Sequence, residues 1–325
     1  MSRDLVALPK AHLHVHLESA IRPATLAELA PSGSAPVLPA VFAGFGAFAD
    51  YNAAVRACLR TVADFERIAY EFCVDSAADG VRYAEVTVTA AAHGARLGSG
   101  AAPLDGVLAG LRAGSLAAGI ETRVVIDHSR RRPLAWAEES VRLAADRPDA
   151  VVAFGVAGDE SAPISPYRPV IERAAAAGVH LVHHAGETAG ADSVRDALGL
   201  GRAERIGHGI RSLEDAELVA RLRDERVPLE VCPSSNVALG LVPSLAAHPL
   251  PAMVDTGLVV TVNTDIPAVT GQTLSAEYAA VRDAFGCNDE DLARFARAAI
   301  DASFAPPPTK TSLHHALDAW LSQPN

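Results

Sequence analysis

"AVVAFGVAGDESAPISPYRPVIERAAAAGVHLVHHA", residues 150–185, holds two β-branched runs, 150–157 and 179–185, on either side of a segment of helical period, 166–177. Strands separated in this way run parallel, because antiparallel neighbours would be joined by tight turns instead. The same alternation extends in both directions. Further strand candidates are 10–17 "KAHLHVHL", 81–89 "VRYAEVTVT", 122–128 "TRVVIDH", 205–210 "RIGHGI", 227–233 "VPLEVCP" and 257–265 "GLVVTVNTD", with helical segments such as 135–146 and 213–224 between them. Eight such units in a chain of 325 residues fit a closed (β/α)8 TIM barrel of the α/β class better than an open doubly wound sheet. The link between the first two strands is long enough for two or three helices. Its Phe42, Phe45 and Phe48 could overhang a pocket. "APPPTK" at 305–310 ends one helix and precedes a short amphipathic one. There is no repeat or obvious linker, so residues 1–325 are expected to form a single domain.

Composition narrows the partners. A net charge of −11 disfavours a nucleic-acid backbone or an anionic membrane surface. No apolar run is long enough to span a bilayer, and "MSRDLVALPKAHLH" does not read as a signal peptide. Four cysteines, Cys58, Cys73, Cys232 and Cys287, stand far apart without a CxxC pair, as suits a reducing compartment. The expectation is a cytoplasmic protein acting on a small molecule. Nothing in the sequence specifies the number of subunits.

In a (β/α)8 barrel the chemistry belongs at the C-terminal ends of the strands. The first strand ends His12-Leu13-His14-Val15-His16-Leu17-Glu18. Residues two apart on a strand share a face, so His14 and His16 can aim at one point, and imidazoles so placed are natural ligands of a borderline-soft metal. Alone, the pattern would equally suit polar residues lining a wet barrel mouth. The fifth strand runs into His183-His184-Ala185-Gly186-Glu187, the sixth carries Gly207-His208-Gly209, and the eighth ends at Asp265. Each has a bland reading as a cap, a surface group or a satisfied core histidine. Together they supply three imidazoles and a carboxylate, the donor set of a hydrolytic metal site.

The segments "LPKAHLHVHLESAIRPATL", "YAEVTVT", "HHAGE", "RIGHG", "EVCPSSN" and "VNTD" resemble, in order, the signatures of the adenosine/adenine deaminase branch of the amidohydrolase superfamily. The likeness covers roughly residues 8–280. It implies one zinc per chain, held by His14, His16, His184 and Asp265. Glu187 would protonate the ring nitrogen beside the attacked carbon. His208 would orient or deprotonate the metal-bound water, and Asp265 would also accept a hydrogen bond from it. Glu187 would then have to hold a proton near neutral pH, which an apolar pocket would favour. Gly158 matches a glycine whose N–H meets the purine ring, and Asp159 and Glu160 complete a nucleoside-deaminase-like "GDE". Glu18 stands near the sugar, where nucleoside deaminases carry Asp and adenine deaminases commonly Glu. Ser19 replaces the usual Gly.

The family pattern ends the eighth strand with two aspartates, the second bonded to the purine N7 edge. Here Ile266 follows Asp265 and can make no such bond. An unpaired ring nitrogen there would cost about 1–3 kcal/mol. The sequence therefore reads as a zinc aminohydrolase of shifted specificity for a purine-like nucleoside or base. The alternatives are an ordinary adenine or adenosine deaminase with the contact replaced, and a barrel that binds without catalysing.

Overall fold

A computed structural model describes residues 3–31 and 34–323. The strands are β1 (Lys10–His16), β2 (Val81–Val88), β3 (Glu121–Ser129), β4 (Val151–Ala157), β5 (His180–Ala185), β6 (Arg205–His208), β7 (Pro228–Val231) and β8 (Val259–Val262). All eight expected strands are present, with ends shifted by at most three residues, and each pairs in parallel with the next in sequence order. Covered by helices outside and packed side chains inside, their central residues are buried on both faces, so β-branched residues run consecutively in them.

The seam between β8 and β1 lies at the mouth of the barrel. Asp265 N–H donates to His14 O at 3.0 Å, and His16 N–H donates to Asp265 O at 2.9 Å. Below this bridge the Asn263 side chain stands in for a strand neighbour, its Oδ1 accepting from Leu13 N and His14 N at 2.9 and 3.1 Å. The motif that ends β8 thus closes the barrel as well as furnishing it.

The β1–β2 link contains α1 (Pro23–Leu29), α2 (Phe45–Cys58) and α3 (Val62–Ala78). A capping box starts α3: Thr61 Oγ1 accepts from Asp64 N, and Asp64 Oδ2 accepts from Thr61 N. Phe42, Phe48, Leu239 and Ile266 form an apolar cluster apart from the main core, which fixes the start of α2 over the barrel mouth. At the C-terminus, Pro307 and Pro308 begin a helix Pro307–Ser322 rather than lying before a short one, because proline suits the first turn, where no N–H is needed. No helix among the described residues is long and apolar enough to cross a membrane.

Inside the barrel runs a chain of buried polar groups. Arg205 on β6 pairs with Glu85 of β2 and, at 2.7 Å, with Glu230 of β7. Glu85 also accepts from Tyr83 Oη at 3.0 Å, and Glu230 reaches up to His14 at 2.8 Å. A buried guanidinium between two carboxylates, each with further donors, satisfies the condition under which interior charge is tolerated.

Candidate metal centre and active site

The ligand atoms of His14, His16, His184 and Asp265 lie within 4.8 Å of one another at the C-terminal ends of β1, β5 and β8. His16 Nε2 and His184 Nε2 stand 3.2 Å apart, and Asp265 Oδ1 is 3.3 Å from His16 Nε2 and 3.5 Å from His14 Nε2. His14 donates its Nδ1–H to Glu230 Oε2, which leaves Nε2 buried, without a protein partner and aimed into the cluster. Converging imidazole nitrogens with an orphaned lone pair are what a bound divalent cation would satisfy, and a carboxylate behind one imidazole is the usual way to fix its tautomer. The residues fit a metal. His12, two residues earlier, turns instead to Thr264 Oγ1 at 3.0 Å.

Asp265 and His208 both have left-handed backbones, with φ of 59° and 64°. Side-chain-bearing residues take that conformation at a cost, and here it aims both groups inward. Ser235 donates its hydroxyl to Asp265 Oδ2 at 2.5 Å. Burial lowers the His208 pKa to about 3, with His14 adding to the effect, so its imidazole is neutral.

Glu187, on the turn after β5, is 4% exposed, with Oε1 3.7 Å from His208 Nε2. Burial first, then the charges of Asp265 and Glu160, hold its pKa well above the ordinary carboxyl value. Its turn is pinned by Glu160, whose carboxylate accepts from the N–H groups of Gly186, Glu187 and Thr188 at 2.7, 2.9 and 2.8 Å. Glu160 is therefore no exposed loop acid. Asp159 beside it is the outer one, paired with Arg131 at 2.6 Å.

These groups open on a cavity of about 620 Å³, lined among others by Phe45, Phe48, Arg56, Asp127, Gly158, Glu187, His208 and Ile266. Gly158 has φ 86°, and a Cβ there would come within 2.9 Å of Ser129 Oγ, so only glycine fits this wall. Glu18 points toward the β2 end instead: its Oε1 accepts from Thr89 N and Thr89 Oγ1, and pairs with His93 Nε2 at 2.8 Å. Ile266 is 1% exposed, packed beneath Phe42 and Phe48.

The family model for adenosine deaminase matches residues 9–320. The chain belongs to the adenosine deaminase family. Within it, the chain is 38% identical to the aminodeoxyfutalosine deaminase of Streptomyces coelicolor, over 98% of this chain and 88% of that one. The solved adenine deaminase of Arthrobacter aurescens superposes with a TM-score of 0.91 at 31% identity, covering 97% of this chain and 99% of that one. A zinc-bound amidohydrolase from Burkholderia ambifaria follows the same fold with a TM-score of 0.85 at 27% identity, covering 98% of this chain and 94% of that one. The protein is thus an adenosine deaminase-family aminohydrolase, a deaminase that acts on the amine of a purine-like heterocycle.

Glu230, Ser235, Asn236 and Glu160, which hold site residues from behind, escaped the reading of single strand ends. The runs "EVCPSSN" and "GDE" contain all four, but nothing in a linear motif tells a supporting residue from a reacting one.

Proposed function

We propose that this aminohydrolase uses one zinc per chain, held by His14, His16, His184 and Asp265, to deaminate a purine-like nucleoside or base whose N7-equivalent edge is not read by a hydrogen bond. The buried carboxyl of Glu187, whose surroundings beside those four donors raise its pKa well above the ordinary carboxyl value, carries the catalytic part of the proposal. The apolar wall at Ile266 carries the specificity.

Zinc bound there would supply Lewis acidity, which brings the pKa of a water to about 7. The remaining work falls to side chains. As the water oxygen bonds to the amine-bearing carbon, electron density moves onto the adjacent ring nitrogen, and Glu187 delivers its proton there. The C–N bond then breaks: the amine takes one proton of the added water and leaves as ammonia, the other returns to Glu187, and the carbon keeps the oxygen as a carbonyl. Asp265 is held with Oδ2 on Ser235, so Oδ1 is the oxygen that faces the donors.

A chain of hydrogen bonds supports one of the two roles open to His208. Leu250 N–H donates to His248 Nδ1 at 3.1 Å, so the His248 proton is on Nε2 and goes to Asn236 Oδ1, also at 3.1 Å. Asn236 Nδ2 must then donate to His208 Nδ1, 3.3 Å away. A neutral His208 so held carries its proton on Nε2, facing the cavity. It is a hydrogen-bond donor that orients the attacking oxygen, not the base that deprotonates it.

The test is ammonia release by protein of measured metal content from adenine, adenosine, and their 7-deaza analogues. Turnover of at least one, tracking about one zinc per chain, is expected. No release from any compound overturns the reading. Adenosine turnover with kcat/KM above about 10⁵ M⁻¹s⁻¹, inside the ordinary range, overturns the shifted specificity alone.

A further inference from the structure

Besides Glu187, the buried acids in or beside the cavity wall include four, Glu18, Glu160, Asp265 and Asp127, and three of them are engaged by protein groups. Glu18 is held by Thr89 and His93, Glu160 by three backbone amides, and Asp265 by Ser235 and the histidines. The fourth is Asp127, at the C-terminal end of β3. It is 4% exposed, lines the cavity, and accepts through Oδ1 from the N–H of His128 at 3.1 Å. Among the described residues no ion pair and no second donor reaches its carboxylate. Its other oxygen opens on the cavity, and a carboxylate so largely buried with one backbone partner is poorly satisfied by the protein itself. In accord with that, burial pushes its pKa up to about 7.

The fold makes room for the group. Gly155, on the neighbouring strand β4, would place a Cβ 2.7 Å from Asp127 Oδ1, so any side chain at 155 would displace the carboxylate. Ser129 and Gly158 continue the same wall. β3 lies three strands round the barrel from β8, so Asp127 meets a ligand from a different side than Ile266. One wall of the cavity is apolar, and another offers an acceptor with no partner.

We propose that Asp127 is a specificity-determining residue that accepts a hydrogen bond from an N–H or O–H donor of the substrate, either the ring N–H of a free base or a hydroxyl of a sugar. A ligand with no donor at that position leaves the carboxylate unpaired, so the enzyme selects against it. The inference rests on the cavity being the ring-binding site of the deaminase.

Binding of compounds with no amine to lose separates this contact from turnover. Calorimetry would compare purine, 9-methylpurine, purine riboside and its 2′-deoxy and 3′-deoxy forms on metal-loaded wild type, Asp127→Ala and Asp127→Asn. In wild type, removing one donor should weaken binding roughly ten- to a hundredfold, the range for leaving a buried acceptor unpaired. Loss on N-methylation identifies a ring N–H, and loss on deoxygenation identifies a hydroxyl. In Asp127→Ala the parent compound should bind as weakly as its donor-less analogue, with no further loss on deleting the donor. Asp127→Asn, which keeps an acceptor, should recover part of the affinity. Equal weakening of all compounds by Asp127→Ala, or donor effects of the same size in wild type and variant, overturns the inference even if ammonia release succeeds. Absence of both binding and release across the compounds overturns it together with the reading it rests on.

Discussion

His14 gives its Nδ1–H to Glu230 Oε2 at 2.8 Å, joining residues 216 apart in sequence, and so turns its free Nε2 toward His16, His184 and Asp265. Glu230 is in turn gripped by Arg205 at 2.7 Å. The orientation of a candidate metal ligand at the mouth is thereby set from inside the barrel. Glu230→Gln should lower zinc affinity roughly 10- to 100-fold, the usual effect of losing such a partner. Competition with a chromophoric chelator measures it. Unchanged affinity would mean that the ring is held by its packing alone.

Glu187 should govern the alkaline side of the pH profile. Its pKa is raised, so the proton needed for donation is present below that pKa and is lost as pH rises through it. Accordingly kcat/KM should fall with rising pH on that limb. Glu187→Gln should retain its metal, lose about two orders of magnitude or more in turnover, and no longer show the limb. A variant with near-wild-type turnover would remove Glu187 from the proton transfer.

Ile266→Asp restores the second aspartate of the family pattern, and should favour adenosine over its 7-deaza analogue by about 1–3 kcal/mol if the hydrogen bond forms. The ratio of kcat/KM for the two compounds, in wild type and variant, is the measurement. Because Ile266 packs with Phe42, Phe48 and Leu239, the variant should also melt earlier, having put a carboxylate into the cluster that seats α2. An unchanged ratio would show that this wall does not touch the ring.

Asp127 predicts a pH-dependent stability difference. Its carboxyl has a pKa of about 7 in the folded chain against an ordinary 3.8, so the fold holds that proton more tightly. The resulting stability is fully present below the ordinary value and is lost as pH rises through about 7. Asp127→Asn does not titrate. Its Tm relative to wild type, both metal-loaded, should therefore be higher at pH 8 than at pH 5. A difference independent of pH would place the carboxylate in contact with solvent.

The eight strands, the insertion, and the gathering of His14, His16, His184, Glu187, His208 and Asp265 at the strand ends were legible in the sequence because each leaves a local mark. Alternation of strand and helix marks the barrel, and a period of two puts His14 and His16 on one face. The tertiary structure alone decided what stands behind them. Glu230 meets His14, Ser235 meets Asp265, and the His248–Asn236 chain reaches His208 Nδ1, because barrel closure brings together strand ends distant in the chain. It turned Glu18 toward Thr89 and His93, and drew Glu160 inward to pin the Glu187 turn. Ile266 could be read as a missing acceptor from its neighbour Asp265, but not as the floor under Phe42 and Phe48. That contact depends on how a helix more than 200 residues earlier settles over the mouth, which no local periodicity encodes.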